Sequence, residues 1–356
     1  MIPLYKPYMP SELPELNDIL YSGNLSYSKW GKQFELDLGS YLGNNQILTT
    51  NSYNSAMLTL LATLDLKFGD KIIASPMSCL ASNQPFATQG LNIIWGDIDP
   101  STGTLDPEQV RSLITKDVKA IFHNHFCGYV GYVDEINAIG KEHGIPVIDD
   151  AIEAFGSKYK NNTMGNLGSD CTVFSFETIR MPNCISGGGI SFKNKNLFNK
   201  AKRIRDYGVK RENFRDKLGE IKKEMDIEAV GFGALPNEIN SYIGTVQLLE
   251  IDKLINIQTK NVKKWSSYFD TTNIGLKLLK KTNHSHPNYW IYGLLSEDKK
   301  GLIKQMRLKG FYASGVHNNN NNYSVFGDQI DLNGVNKFMN EFVAIPSGWW
   351  VKEILQ

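Results

Sequence analysis

From about residue 46 to residue 195 the chain alternates short apolar runs with segments of helical periodicity, and no other feature narrows its fold as much. Ala56 to Leu66 repeats apolar residues at helical spacing and stops at Gly69-Asp70. Lys71 to Ala74 reads as a strand, and Leu91 to Trp95 as another that leads into the turn Gly96-Asp97-Ile98-Asp99-Pro100. A helix follows over Glu108–Ile114, a strand over Lys119–His123, an amphipathic helix over Val133–His143 and a buried strand over Pro146–Asp149. Thr172–Phe176 and Gly189–Phe192 are two further strands. Such alternation predicts βαβ units, and so an α/β fold with a mostly parallel sheet flanked by helices on both faces. Ligands of such sheets sit at the carboxyl ends of the strands. That singles out His125, Asp150 and the segment after Phe176.

The flanks are less regular. The first 45 or so residues have a Pro-rich start and a polar-apolar mix around a turn at Ser22-Gly23-Asn24. Ala201 to Glu224 is densely charged and reads as a solvated helical face followed by a polar loop. Asn237 to Gln258 reads as one long helix. Beyond it, strand-like pieces at Trp290–Leu295 and Phe311–Ser314 enclose a helix at Gly301–Leu308, and a last apolar piece lies at Phe342–Ile345. The Asn-rich run Asn318–Asn322 reads as a loop. The expected division is a large domain over residues 1–245 and a smaller α+β domain over 246–356.

The 356 residues carry 38 Lys+Arg against 37 Asp+Glu, a net charge of +1. A near-neutral chain has no global electrostatic reason to bind nucleic acid or an acidic membrane. The hydrophobic fraction of 41% fits an ordinary globular enzyme and excludes collagen-like, coiled-coil and disordered classes. Cys79, Cys127, Cys171 and Cys184 form no CxxC pair and no zinc spacing, so no metal is expected. The start lacks a secretory pattern, and no apolar run is long enough to span a membrane. Reduced thiols in a cytoplasmic protein are the expectation.

Two segments can carry chemistry. In Val147-Ile148-Asp149-Asp150-Ala151-Ile152-Glu153 a buried strand ends in two carboxylates, with a third three residues on. A carboxylate there can hold a metal, act as a base or pair with a protonated ring nitrogen; equally, one Asp can cap the next helix. In Phe174-Ser175-Phe176-Glu177-Thr178-Ile179-Arg180 a strand runs into a polar turn, and Gly187-Gly188-Gly189 precedes the next strand. Such a triplet either lets backbone approach a ligand or makes a tight turn.

Taken together these pieces resemble the DegT/StrS-type nucleotide-sugar aminotransferases, pyridoxal phosphate (PLP) enzymes of fold type I. The colinear matches run from Ser22-Gly23 through Gly69-Asp70, Gly96–Pro100, His125 with Gly128, Pro146–Gly156 and Gly165–Gly168. They continue through Phe174-Ser175-Phe176, Gly187-Gly188, Arg205–Gly208 and Gln247-Leu248. The resemblance implies a homodimer with active sites at the subunit interface. It also implies a nucleotide-linked keto-sugar substrate and a role in surface glycans such as O-antigen. Asp150 matches the Asp that keeps the pyridine nitrogen protonated. Glu153 stands where the family has Gln or His against the ring oxygen, and Ser175 matches a phosphate ligand. Tyr53 and Asn54 fall in the phosphate-binding loop, Cys79 at the ring-stacking position and Gly233 at the cross-subunit Asn. His317 and Arg205 fall near the sugar, with His317 also readable as a surface histidine. His125 packs beside the cofactor cleft, either structurally or as an acid-base group. Trp349-Trp350 is core or a lip of the sugar site.

Arg180 stands where the resemblance places the Schiff-base lysine. A guanidinium stays protonated, so it has no free amine for an aldehyde and is a poor base. Ordinary transamination should be blocked. Three functions are then open. The chain can use PLP or its amine form, PMP, as family dehydratases with a His at that position do. It can be a PLP-free nucleotide-sugar enzyme whose acid-base groups are Asp150, Glu153, His125 and Cys79. Or it can be a binding protein in which Arg180 pairs with Asp150 or Glu153, or holds an anionic ligand.

Overall fold

The computed structural model describes residues 1–272 and 276–354. Its central sheet has seven strands: β1 (Ile47–Thr50), β2 (Lys71–Ala74), β3 (Asn92–Trp95), β4 (Val118–Asn124), β5 (Val147–Asp150), β6 (Cys171–Ser175) and β7 (Gly188–Phe192). Their order is β1-β7-β6-β5-β4-β2-β3. Only β7 runs against its neighbours; the β6–β5, β5–β4, β4–β2 and β2–β3 pairs are parallel.

Alternate residues of each strand serve opposite faces. Ile72, Ala74, Ala120, Phe122, Ile148 and Val173 join one core with Ala56, Met57, Leu60 and Leu61 of the helix Tyr53–Thr63. Ile73, Ile121 and Val147 join another with Val110, Ile136 and Ile139 from the helices Pro107–Leu113 and Val133–His143. The strands therefore read as continuous apolar runs because both faces are covered. The helix Tyr53–Thr63 begins three residues before the expected Ala56. Ser52 is its N-cap, and its side chain accepts from the Ser55 N–H.

Beyond the sheet the chain departs from expectation at five places. A helix, Lys29–Leu42, fills what read as a polar-apolar mix. The span Asn237–Gln258 is not one helix: Glu238–Leu248 ends in a tight turn, with the Glu250 N–H bonded to the Gln247 carbonyl, and Ile251–Thr272 starts afresh. Phe311–Ser314 makes no strand. It forms single bridges, Phe311 with Ile2 and Ser314 with Ala344, so the first residues of the chain strap onto the last segment. The Asn run is the loop expected, with a short turn at Asn320–Asn322, but much of it lies in the interior. Asn319, Asn320 and Asn321 are buried, and the Asn320 amide donates to the carbonyls of Ser78 and Cys79. Finally, the charged stretch from Ala201 is not wholly solvated. Arg205 and Asp206 at the end of the helix Lys195–Arg205 are buried.

The C-terminal segment forms a small antiparallel sheet of Lys277–Leu278, Tyr292–Leu295 and Phe342–Ile345. Trp265 and Met306, from the helices Ile251–Thr272 and Lys299–Leu308, pack on it. This segment places Trp290 and His317 against the carboxyl edge of the large sheet. Among the described residues no helix is long and apolar enough to cross a membrane.

Candidate functional site

Asp150 ends β5, in register with Asn124 of β4 and Val173 of β6. Its Oδ1 accepts from the Ile152 N–H at 3.2 Å and from the Tyr53 hydroxyl at 3.3 Å. Ser82 Oγ lies 3.4 Å from the same hydroxyl. Burial pushes the Asp150 carboxyl up to about 6.

Asp149 caps no helix, contrary to one sequence reading. Its side chain points to the other side of the sheet edge, where Oδ1 lies 3.3 Å from His123 Nδ1 and 3.1 Å from His125 Nε2, and Ser169 donates to Oδ2. His125 Nδ1 accepts from the Gly131 N–H at 3.0 Å, which leaves the ring proton on Nε2, toward Asp149. His125 is thus locked in place by backbone and carboxylate. Burial alone would raise Asp149, but His125 and His123 outweigh it and hold the carboxyl well below the usual range. Burial pushes His123 down to about 4, so it is neutral at pH 7. The three side chains offer ligand atoms within 4.8 Å of one another, a grouping that no sequence spacing announced.

Glu153 is the centre of the second cluster. Its Oε2 accepts from the Cys127 N–H at 2.9 Å. Its Oε1 lies 3.0 Å from His317 Nε2 and 3.4 Å from Arg180 Nη1. Burial pushes this carboxyl up, but His317 and then Arg180 overcome it, so it stays below its ordinary value. The Arg180 guanidinium lies 4.7 Å from the centre of the Trp290 ring, which is stacked on Tyr5 at 4.3 Å. Cys79 Sγ is 4.0 Å from Arg180 Nη2, and burial pushes its thiol up. Arg180 is 7% exposed, and its Nε–H is buried without a hydrogen-bond acceptor. His317 is half-buried, more accessible than Glu153 and Arg180. The structure therefore brings Glu153, Arg180, His317 and Cys79 together.

Tyr53 opens the helix after β1. Its side chain is buried among the core residues and reaches Asp150, while its N–H donates to Glu177 Oε1 at 3.4 Å. Ser186 Oγ lies 3.3 Å from the same oxygen. Ser175 Oγ accepts from the Glu177 N–H. Asn54, one residue on, is exposed. Gly188 in the triplet serves close backbone approach: a Cβ there would lie 2.6 Å from the Ser52 carbonyl oxygen. Arg205 belongs to different surroundings. It pairs with Glu35 and donates to the Thr49 carbonyl at 2.7 Å, under the Tyr27 ring. It lines a cavity of about 1030 Å³ with Lys32, Lys202, Arg203 and Arg211.

Sequence reasoning missed Glu177, Trp290 and Cys127 as site residues. Glu177 had a signal, since it lies just past the carboxyl end of β6. Trp290 had none, because Arg180 lies 110 residues away in the chain, and Cys127 had none, because it meets Glu153, 26 residues on, through its backbone N–H.

A parallel α/β sheet with its charged side chains gathered at the carboxyl edge, and a small antiparallel unit closing over that edge, defines the class: the fold-type I PLP transferases. Residues 9–348 match the DegT/DnrJ/EryC1/StrS aminotransferase family, and the chain belongs to that family. The sugar aminotransferase CalS13 from Micromonospora echinospora superposes with a TM-score of 0.90 at 25% identity, over 99% of this chain and 96% of that one. AtS13 from Actinomadura melliaura superposes with a TM-score of 0.90 at 27% identity, over 99% and 95%. A GDP-4-keto-6-deoxymannose-3-dehydratase with a trapped PLP-glutamate geminal diamine shares the fold, with a TM-score of 0.86 at 21% identity over 98% and 96%.

Proposed function

We propose that the chain acts on a nucleotide-linked keto-sugar of surface-glycan biosynthesis, as a homodimer, and that it moves a proton with its own side chains instead of transaminating. The observation that carries this reading is the His317–Glu153–Arg180 cluster. The residues present do not fit PLP. The position that the family resemblance gives to the Schiff-base lysine holds Arg180, which offers no free amine, and Asp150 already accepts from Tyr53. No step is therefore routed through the cofactor.

The chemistry follows from the hydrogen bonds. With Nε2–H of His317 directed at Glu153, Nδ1 carries the free lone pair. It can take the proton from the carbon beside a sugar carbonyl, the electron pair moving onto the carbonyl oxygen. Glu153 then stabilises the imidazolium, and the positive charge of the neighbouring Arg180 guanidinium favours the enolate. Passage of the neighbouring hydroxyl proton to the enolate oxygen, and return of the carbon proton by His317 to the former carbonyl carbon on the same face, gives an isomerised sugar; an epimer would need a second donor on the opposite face.

The test is solvent exchange in D2O with GDP-4-keto-6-deoxymannose and other nucleotide-linked keto-sugars, followed by NMR. Deuterium should enter beside the carbonyl, and His317→Ala should slow this by a factor of about 100 or more. Binding without exchange would favour a non-catalytic sugar-binding protein, a reading that the paired and buried Arg180–Glu153 bridge supports. Exchange that survives His317→Ala would remove His317 from the chemistry.

A further inference from the structure

We infer that this chain fills its own cofactor space: the Tyr53 ring and the Glu177 carboxylate stand in for a pyridine ring and its phosphate, so that the folded protein excludes PLP and PMP. Three features point the same way, and none depends on the absence of a lysine.

The first is at the ring nitrogen's partner. A bound pyridinium needs the Asp150 carboxylate, and the Tyr53 hydroxyl already donates to it from a fully enclosed position. A pyridinium directed at Oδ1 would have to displace a buried phenol. The second is at the anion end. The backbone N–H of Tyr53 opens the eleven-residue helix Tyr53–Thr63, where amides have no intrahelical acceptor. Glu177 Oε1 takes this N–H, and Ser186 Oγ, which donates to the Asn51 carbonyl at 2.9 Å, lies 3.3 Å from the same oxygen. An incoming phosphate would meet a fixed negative charge instead of free donors. Ser175 Oγ is also engaged, by the Glu177 N–H. The third is the lack of slack. Gly188 on β7 is so close to the Ser52 carbonyl that a Cβ would lie 2.6 Å from it. The loop that carries Tyr53 therefore cannot retreat toward β7 to make room.

One side chain thus supplies the ring and its donor, another supplies the anion, and Arg180 with Glu153 closes the remaining end. The arrangement explains why Tyr53, Glu177 and Arg180 occur together: each satisfies a group that a missing cofactor would leave bare in the interior. It also means that the carboxyl edge is ordered without any cofactor.

The experiment is equilibrium dialysis of the full-length protein against PLP and, separately, PMP, with near-ultraviolet absorbance and thermal melting as readouts. The wild type should retain neither, and its Tm should not move. The variant Tyr53→Gly/Glu177→Gln/Arg180→Lys should bind PLP at least tenfold more tightly. Its absorbance band should be trapped by borohydride as a mass increase at position 180. If that variant does not fold, Tyr53→Gly/Glu177→Gln with PMP tests the same space, since PMP needs no lysine. Retention of either form by the wild type overturns the inference, as does a folded variant that binds no better than wild type. If neither variant folds, the wild-type dialysis decides alone. Either overturning result leaves the D2O exchange experiment to be judged on its own outcome.

Discussion

Asp150 shows how one buried residue sets a pH dependence for the whole chain. An ordinary Asp titrates near 4; burial moves this one up to about 6. Its ionisation therefore opposes folding. Below about pH 4 it is protonated in both states and has no effect. As the pH rises through about 6 the unfolded chain has already lost the proton, and the folded protein gives up about 3 kcal/mol, an upper bound. Asp150→Asn keeps an oxygen for Tyr53 and Ile152 but cannot ionise. In urea denaturation its advantage over wild type should grow by up to about 3 kcal/mol between about pH 4 and pH 6. A constant offset across that range would show that Asp150 is not the titrating group. At this scale the site was partly legible. A run of apolar residues ending in Asp149-Asp150 located the strand end, and a guanidinium at position 180 called for an answering anion, either a carboxylate of the chain or a ligand. Which carboxylate was not legible, because Asp150 and Glu153 differ only in how the turn after β5 directs them.

At the scale of elements, the helix Lys29–Leu42 is capped from across the chain. Its own Ser28 provides no side-chain cap. Instead the buried Glu238 carboxylate accepts from the N–H groups of Ser28, Trp30 and Gly31 at 2.7, 2.9 and 3.0 Å. Three charge-assisted bonds at a helix N-terminus should make Glu238→Ala destabilising by about 3 kcal/mol, and Glu238→Gln by less. Chemical denaturation measures both; an Ala variant within about 0.5 kcal/mol of wild type would mean that water serves those amides as well. This helix was invisible in the sequence for the same reason: its start signal is 207 to 210 residues away. Helices with local caps fared better. Val133–His143 was read to the residue, since Gly144 ends it in a left-handed conformation. The break after Leu248 and the burial of Arg205 were lost because both answer tertiary partners, Gln247 with Tyr8 and Arg205 with Glu35.

At the scale of the molecule, the alternation of apolar runs and helical segments was enough to place six of the seven strands of the large sheet, because those patterns are local, while β1 at Ile47–Thr50 went unread. The strap of the N-terminus onto Gly310–Tyr312 was not legible either, since a single bridged residue leaves no pattern. What the single chain leaves exposed is as telling as what it buries. Between residues 207 and 232 it presents Tyr207, Leu218, Ile221, Ile227, Val230 and Phe232 to solvent, with Leu218 and Val230 each 86% exposed. Exposed apolar residues concentrated in one segment mark an interaction surface. The basic walls of the neighbouring cavity, from Lys202, Arg203 and Arg211, keep that surface from being merely a core that failed to close. A second copy of the chain is the partner we expect, in keeping with the homodimer proposed above, since the same patch on two copies can close a two-fold dimer. Sedimentation velocity should find a dimer at micromolar concentration, and Leu218→Asp/Val230→Asp should weaken it by at least tenfold while far-ultraviolet circular dichroism stays unchanged. A wild-type monomer under those conditions would assign this surface to some other partner, and would require the carboxyl-edge site to be complete within one chain.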